Sequence, residues 1–589
     1  MAGEPPDDLA SVTDGPRDGG ILRTANREAR GDFAVVAAFS FAANLLVLAL
    51  PLYMLQVYDR VLTSRSGDTL LMLTLLAVGL LIGFGVLDGL RQSILSRMAA
   101  RWESRVDATV FDAAVARRLQ GQAASEAEIF ASLHSVRSFC AGPGILALLD
   151  IPWSPLFIGL IFLLHPALGA VALLGTIAVI GVGALGEPLI RPSLKQSYRY
   201  AVQSSRFAQS ALRAGESLYA MGMAARAGAI WRKLLHRSID EQLKGSDKSS
   251  ALNATAKTVR LLLQVAILCI GAALVIGDEM SAGAMIAAVI LMARAMAPAE
   301  QLFSSWNGIA AARDGYLRLK AVLAGAEQTE PELRLPAPQG AIEVAGLSGG
   351  APGAADPFLH DISFTLKPGE MLGVIGPSGS GKTMLMRMLA GIWTPMAGTI
   401  RIDHAELAHW RRDELGKYVG YLPQDIQLIG GTVLSNIARL ESPDHDAVIE
   451  AAKLAGVHEM ILALPKGYDT PIGEGGSRLS AGQRQRLALA RALYGAPKLL
   501  LLDEPNAFLD AEGEMALRKA IDSMKAAGST IIAISHRPGP LAAADRLLVL
   551  RSGRIDQLDA RDAVLPRVTR PVIENDKRVV AYRKDADER

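Results

Sequence analysis

The sequence predicts a two-part fold, in which a membrane α-helical bundle with six transmembrane helices is fused to an α/β domain. Half of the 589 residues are hydrophobic and only 5% are aromatic, and the long charge-free apolar runs lie within residues 33–299. After that region, short apolar runs alternate with helical patterns, and one strand–loop–helix passage has the spacing of a P-loop. These observations place the membrane part first and a phosphate-binding part second.

Six apolar segments are each long enough to cross the ~30 Å hydrocarbon core of a bilayer. The run at 151–186 is too long for one helix and is interrupted by His165 and Pro166, so it is interpreted as two helices joined by a turn. The last segment contains Arg294, and a soluble buried helix is its alternative. The predicted spans are residues 33–58, 69–87, two within 151–186, 261–277 and 281–299.

The charges of the connecting segments indicate the orientation of these spans. Lys and Arg are concentrated before the first span, after the second and fourth, and before the fifth, whereas the turns at 165–168 and 278–281 contain neither. Because positively charged loops stay in the cytosol, both termini and the α/β domain are expected there. The long segments 91–149 and 191–260 are rich in helix-forming residues and are predicted to extend the spans into the cytosol.

Composition sets the domain boundaries and excludes some partners. Residues 1–32 have no apolar core of a signal peptide and are predicted to be a disordered cytosolic tail. A net charge of +2 gives no reason to expect a nucleic-acid partner, and two cysteines exclude a disulfide framework. The expected parts are a transmembrane domain at 33–324 in contact with membrane lipid, a linker at 325–340, a nucleotide-binding domain at 341–559 and a charged tail at 560–589.

The P-loop follows an apolar strand at 371–375 and precedes a helix that includes 384–389. Its glycines permit backbone conformations that direct amide N–H groups towards phosphates, next to the positive end of a helix dipole. Lys382 is expected to reach the β- and γ-phosphates of ATP, and Thr383 to ligate Mg²⁺. The loop residues are Gly376, Pro377, Ser378, Gly379, Ser380, Gly381, Lys382 and Thr383.

Four further polar residues follow predicted strands in the second half. Four consecutive leucines, typical of a central parallel strand, lead directly into Asp503 and Glu504. Asp503 is expected to hold Mg²⁺ and Glu504 to activate the water that attacks the γ-phosphate. Gln424 is expected to contact Mg²⁺ and that water, and the His536 imidazole to hydrogen-bond the γ-phosphate.

A second anion-binding helix start is predicted after Leu479. The residues Ser480, Ala481, Gly482 and Gln483 open a strongly helical segment, so its backbone amides are available to a phosphate.

In this order, these motifs together with residues 506–510 resemble an ABC transporter ATPase domain, for which the LSxGQ pattern at 479–483 is the specific marker. The resemblance implies that two such domains bind two ATP molecules head to tail. Ser480 and Gly482 of one chain would complete the site formed by Lys382 of the other, which implies a homodimer with twelve spans. Segment 473–476 resembles the exporter element that contacts the partner's cytosolic loops.

Two stretches of the membrane part, 51–62 and 150–157, resemble type I secretion ABC transporters, and more closely their protease/lipase-exporter branch. The similarity extends over about 33–557. It implies ATP-driven export, across the bacterial inner membrane, of an unfolded protein with an uncleaved C-terminal signal, often a glycine-rich calcium-binding-repeat protein. The implied partners are a periplasmic adaptor (membrane fusion protein) and a TolC-like outer-membrane channel. The alternative is a lipid or drug ABC exporter, which has the same ATPase motifs.

The chain departs from the family pattern in two places. Related ATPases usually stack adenine on an aromatic residue roughly 25 residues before the P-loop, but segment 349–352 has no aromatic residue, and Phe358 is the nearest one. The segment before the first span is also too short for an N-terminal peptidase-like domain, so neither leader cleavage nor such a receptor domain is expected.

Overall fold

The computed structural model describes residues 20–121, 126–326, 335–574 and 577–582. Contacts divide the chain into two compact units, one made mainly of residues up to 326 and the other made mainly of residues from 335 onwards. The first unit is entirely helical in its described residues, and the second is an α/β unit.

Twelve α-helices form the described part of the first unit, several of them far longer than a bilayer is thick. Six helical segments are long and apolar enough to cross a membrane, as the sequence predicted. A π-helical turn, Val57–Val61, and a 3₁₀ turn, Ile151–Trp153, interrupt the series. The helices are α1 (Gly20–Leu46), α2 (Ala49–Gln56), α3 (Leu62–Ser64), α4 (Gly67–Leu119), α5 (Glu126–Cys140), α6 (Pro143–Asp150), α7 (Ser154–Leu164), α8 (Pro166–Arg213), α9 (Gly215–Ala220), α10 (Ala224–Ile276), α11 (Ala282–Ser304) and α12 (Trp306–Ala326).

Helix α1 corrects the prediction of a disordered tail over 1–32, because it begins at Gly20. Leu22, Ala25 and Ala29 are spaced to share one face of this helix, and all three are buried. Leu22 and Ala25 pack in the apolar cluster that contains Trp102. Burial of this short apolar stripe stabilises a helix that the charged composition did not suggest. Residues 1–19 of the predicted tail lie outside the described part of the chain.

A polar cluster is buried among the first apolar segments. Arg91 of α4 is 8% exposed, and its Nη1 donates to both carboxylate oxygens of Asp150 at 2.9 and 3.1 Å. The Arg91 Nε donates to Asp88 at 2.8 Å, and Nη1 also donates to the Ser40 hydroxyl at 3.1 Å. Asn44 donates to Asp150 at 3.0 Å. The cluster therefore joins α1, α4 and α6 through groups that are distant in sequence.

Two sheets form the core of the second unit. A six-stranded sheet has the order β10-β9-β3-β8-β7-β6, in which only β10 runs antiparallel to its neighbour. An antiparallel sheet has the order β2-β1-β4-β5. The strands are β1 (Ile342–Gly349), β2 (Leu359–Leu366), β3 (Met371–Ile375), β4 (Ala397–Ile402), β5 (Ala405–Glu406), β6 (Val419–Leu422), β7 (Leu499–Asp503), β8 (Thr530–Ile534), β9 (Arg546–Arg551) and β10 (Arg554–Ala560).

The continuous apolar strands are explained by burial on both faces. Along β7, Leu499 and Leu501 belong to one core cluster, whereas Leu500 and Leu502 belong to the other. Successive side chains of a strand point to opposite faces, so a run without alternation fits a sheet covered on both sides.

The helices of this unit complete its two apolar layers. They are α13 (Lys382–Leu389), α14 (Arg412–Leu415), α15 (Val433–Ile437), α16 (His445–Leu454), α17 (His458–Leu462), α18 (Ala481–Leu493), α19 (Ala511–Ala526), α20 (Pro538–Leu541) and α21 (Arg561–Val568), with 3₁₀ turns at Leu407–His409, Gly467–Asp469 and Glu474–Gly476.

The C-terminal boundary also differs from the prediction of a charged tail at 560–589. Helix α21 follows β10, and its Val564 is 1% exposed within the main core cluster. Beyond it, β11 (Thr569–Glu574) and β12 (Lys577–Tyr582) pair antiparallel. The folded unit therefore continues past residue 559, because an apolar side chain within the charged segment contributes to the core.

Candidate functional site

The carboxyl ends of four parallel strands bring most of the predicted site residues together. Strands β3, β8, β7 and β6 are consecutive neighbours in the sheet. The P-loop follows β3, His536 follows β8, Glu504 follows β7 and Gln424 follows β6. Ligands of open α/β sheets bind at this edge, so the topology alone collects residues separated by up to 160 positions.

The P-loop backbone has the positive φ angles that its glycines permit. Gly379 and Gly381 have φ values of +79° and +101°, in the left-handed region that favours glycine. A Cβ at Gly376 would lie 2.2 Å from the Leu550 carbonyl oxygen, so only glycine allows this close approach. A side chain at Gly376 would displace the loop from Leu550, whereas a side chain at Gly379 or Gly381 would strain the backbone.

The Lys382 ammonium is held inside its own loop. It donates to the carbonyl oxygens of Gly376 at 2.9 Å and Pro377 at 2.8 Å. Burial lowers the pKa of Lys382, and the nearby carboxylates of Glu504 and Asp503 oppose that shift. The ammonium is therefore placed at the centre of the loop, where phosphate oxygens can replace carbonyl oxygens as its partners.

A divalent cation fits beside Asp503. This side chain is 1% exposed, and neither carboxylate oxygen has a hydrogen-bond partner among the described residues. The Thr383 hydroxyl and the Gln424 side-chain oxygen lie 3.5 Å apart in the same region. Hydroxyl, amide and carboxylate oxygens are the ligands that Mg²⁺ prefers, and an unpartnered buried carboxylate is costly without a cation. Thr383, Gln424 and Asp503 are thus suited to hold it.

The protonation of Asp503 predicts a pH dependence of metal binding. Burial raises the pKa of Asp503 to about 6, against the opposing effects of the nearby Thr383 hydroxyl and the Arg387 and Lys382 charges. A metal-bound carboxylate must be deprotonated, so bound protons compete with Mg²⁺ once the pH falls below this value. The Mg²⁺ concentration for half-maximal ATP occupancy should therefore rise about tenfold per pH unit below pH 6.

This prediction can be checked by titrating Mg²⁺ into the Glu504→Gln chain at pH 5 and pH 7 with ATP present. The Asp503→Asn chain is the control, because any dependence that remains there belongs to ATP itself. An equal pH dependence in both chains would contradict the assignment.

Glu504 and His536 form the second part of the site. Their Oε1 and Nε2 atoms are 3.4 Å apart, and both side chains are partly accessible. Glu504 has a left-handed φ of +50°, which is rare for a non-glycine residue, and its backbone N–H donates to the Ile534 carbonyl at 3.0 Å. Burial and the Lys382 charge lower the pKa of His536, while Glu504 opposes the shift. A neutral imidazole at neutral pH can both donate and accept a hydrogen bond.

Ser480 and its neighbours form a separate part of the unit. Ser480 Oγ accepts from the Gln483 N–H at 3.2 Å, and Gln483 Oε1 accepts from the Ser480 N–H at 2.9 Å. This reciprocal capping box fixes the start of α18. Within the described residues, no hydrogen bond or ion pair joins Ser480, Ala481, Gly482 or Gln483 to the P-loop or to Asp503.

Several contacts around the site were not predicted from the sequence. The buried Gln485 side chain donates to the Pro505 carbonyl at 2.9 Å and so connects α18 to the turn after Glu504. The guanidinium of Arg387 lies 4.8 Å from the Trp393 ring centroid, and its charge acts on Asp503. Gln485 lies two residues after the LSxGQ pattern and Arg387 belongs to no motif, so only the folded arrangement identifies these contacts.

Comparisons with known proteins match both units. The pattern of the ABC transporter transmembrane region matches residues 33–298, and that of the ABC transporter matches residues 359–507. The chain is 42% identical over 552 residues to the type I secretion system ATP-binding protein PrsD of Rhizobium meliloti (strain 1021), covering 93% of this chain and 94% of that protein. It is 30% identical to the toxin RTX-III translocation ATP-binding protein of Actinobacillus pleuropneumoniae, covering 89% and 74%, respectively.

A solved structure shares the fold. The bacterial Atm1-family ABC exporter with ATP bound superposes with a TM-score of 0.78 at 24% identity, over 91% of this chain and 96% of that chain.

Proposed function

The chain belongs to the ABC transporter family and, within it, to the ATP-binding proteins of type I secretion systems; from this premise we propose what it exports, with which partners, and how its site residues act. It hydrolyses ATP and couples hydrolysis to export. The proposed cargo is an unfolded protein with a C-terminal secretion signal, of the calcium-binding-repeat, protease or lipase type.

The site residues would have separate roles in ATP hydrolysis. The P-loop amides and Lys382 bind the phosphates, while Thr383, Gln424 and Asp503 hold Mg²⁺. Bound Mg²⁺ would neutralise charge on the β- and γ-phosphates. Glu504 takes a proton from the attacking water, and His536, which lies 3.4 Å from Glu504, hydrogen-bonds the γ-phosphate. The carboxylate–imidazole contact supports this pair of roles.

A homodimer would supply the remaining phosphate contacts. The amide-rich start of α18, at Ser480–Gln483, is preorganised by its capping box, but no hydrogen bond joins it to the P-loop among the described residues of its own unit. We infer that a second copy places these residues over the γ-phosphate held by Lys382. One ATPase unit per chain supports this arrangement, since two sites then form from two chains.

The export pathway would connect the cytosol to the cell exterior. The chain is a membrane protein, and its described residues include six helical segments apolar and long enough to span a bilayer. We place it in the bacterial inner membrane with both termini and the ATPase unit in the cytosol. Its partners would be a periplasmic adaptor and a TolC-like outer-membrane channel. The observation that carries this proposal is the 42% identity across both units to a type I secretion protein.

The proposal is tested by mild cross-linking of the Glu504→Gln chain in its native cells, followed by mass spectrometry of what co-purifies. This variant is expected to retain ATP and to hold its complex long enough for capture. We expect an adaptor protein, together with a secreted protein cross-linked through its C-terminal region. The Lys382→Ala chain is the matched control, because weakened phosphate binding should reduce capture of the cargo.

Recovery of lipid or small molecules alone, without an adaptor, would contradict protein export. That result counts only under conditions that preserve a known adaptor complex, and it would favour a lipid or drug exporter instead.

A further inference from the structure

A cavity of about 400 Å³ adjoins the P-loop. Residues 377–380 of the loop line this cavity together with Pro357, Phe358, His360 and Ser552. Phosphates held by the P-loop leave the rest of a nucleotide to lie beside that loop, so this cavity is where a nucleobase can be accommodated. The segment expected to supply an aromatic platform, 349–352, has none.

The aromatic ring of Phe358 is accessible, and the backbone of this residue is held by a hydrogen bond. Its side chain is 41% exposed, although the next residue, Leu359, is fully buried at the start of β2. Its backbone N–H donates to the Gly349 carbonyl at 2.8 Å. A Cβ at Gly381 would lie 3.1 Å from the Phe358 Cε1 atom, so the ring rests against the P-loop backbone. The ring therefore has one face or edge on the loop and the remainder open to the cavity.

A neighbouring turn holds the same backbone in place. Gly553 accepts from the His360 N–H at 2.9 Å, and its own N–H donates to the Ser380 carbonyl at 3.2 Å. A Cβ on Gly553 would lie 1.9 Å from the Phe358 carbonyl oxygen, so glycine is required for this packing. The β9–β10 turn thus connects the backbone around Phe358 to the P-loop.

We propose that Phe358 is the stacking platform for the nucleobase, and that the site consequently discriminates weakly between adenine and guanine. Every base has a π face, so stacking on an aromatic ring tolerates different bases. Reading the edge of adenine usually requires a paired donor and acceptor, such as Asn or Gln. Among the described residues, no carboxylate or carboxamide side chain lines the cavity; its polar side chains are His360 and three serines.

The first test measures equilibrium binding of ATP and of inorganic tripolyphosphate to the full-length Glu504→Gln chain in lipid nanodiscs. Adding Phe358→Ala should raise the Kd for ATP roughly 5- to 100-fold, in line with the contribution of one stacked base. The Kd for tripolyphosphate, which has no base, should stay within twofold. In Phe358→Tyr the Kd for ATP should stay within threefold of the parent value. In Phe358→Leu it should rise nearly as much as in Phe358→Ala, because Leu keeps the bulk of the side chain but not the ring.

Two outcomes would overturn the assignment. Unchanged ATP binding in Phe358→Ala would mean that the base does not use this ring. Equal weakening of tripolyphosphate would mean that the ring only supports the P-loop. If Phe358→Ala folds poorly, Phe358→Leu takes its place in this comparison, because Leu still packs against Gly381 but has no ring on which a base can stack.

The second test compares GTP with ATP on the otherwise unchanged Glu504→Gln chain. A Kd ratio within tenfold supports weak discrimination, and a larger preference for ATP would overturn it. The inference rests on nucleotide binding and not on the identity of the cargo. A chain that binds ATP but ignores Phe358 would refute only this inference, whereas failure to capture an adaptor or a secreted protein would refute only the proposed export.

Discussion

Replacing Glu504 by Gln is expected to lower ATP turnover by about 10²–10⁴-fold, the usual contribution of a positioned general base. Gln has nearly the same shape and can still form a hydrogen bond with His536, whose Nε2 lies 3.4 Å from the Glu504 carboxylate. It cannot accept a proton from water. Phosphate binding should survive, because Lys382 and the P-loop amides lie on a different strand end. Single-turnover phosphate release and bound-nucleotide content separate these two effects.

The matched control is Glu512→Gln, which makes the same chemical change at an exposed position on α19. It should leave turnover unchanged within a factor of two. Turnover by Glu504→Gln within fivefold of the parent chain would assign the base to another group. Loss of bound nucleotide together with turnover would instead indicate that Glu504 organises the phosphate site.

The features predicted from the sequence are those encoded by neighbouring residues, whereas contacts between distant segments were missed. The P-loop, Asp503 and Glu504 are recognisable because each motif joins a buried strand to the next segment within about ten residues. Their meeting at one sheet edge then follows from the parallel order of β3, β8, β7 and β6. The position of Phe358 against Gly381 depends on how β2 packs beside the loop, which no local pattern specifies.

The N-terminal helix illustrates a different cause. Leu22, Ala25 and Ala29 have helical spacing, but two of them are alanines in a segment dominated by charge and glycine. The burial of Leu22 and Ala25 depends on the partner surface around Trp102, about 80 residues later in the chain, and Ala29 packs in the cluster that contains Leu95 and Met98. Composition therefore favoured disorder, and tertiary packing decided otherwise.

Replacing Arg91 by Met is expected to destabilise the membrane unit by about 3–5 kcal/mol, the cost of breaking a buried ion pair on one side. The side chains of Arg91 and Asp150 are 9% and 14% exposed, so the remaining carboxylate would keep its charge away from bulk water. Asp88 and Ser40 would lose their hydrogen bonds with the guanidinium, whereas Asn44 would keep its hydrogen bond to Asp150. Thermal unfolding in a fixed detergent, followed by intrinsic fluorescence, measures the resulting decrease in the unfolding temperature.

A double-replacement cycle distinguishes the ion pair from lost packing. Arg91→Met combined with Asp150→Leu removes the two most buried charges and leaves Asp88, whose side chain is 31% exposed. Because Asp88 can be hydrated, the double variant should recover most of the stability lost by either single one. Arg97→Met, at an exposed position of the same helix, is the control and should cost less than about 0.5 kcal/mol. Costs that simply add in the double variant would show that the two side chains stabilise the unit independently. Recovery would instead mean that the attraction between these charges, rather than the bulk of either side chain, connects α4 to α6.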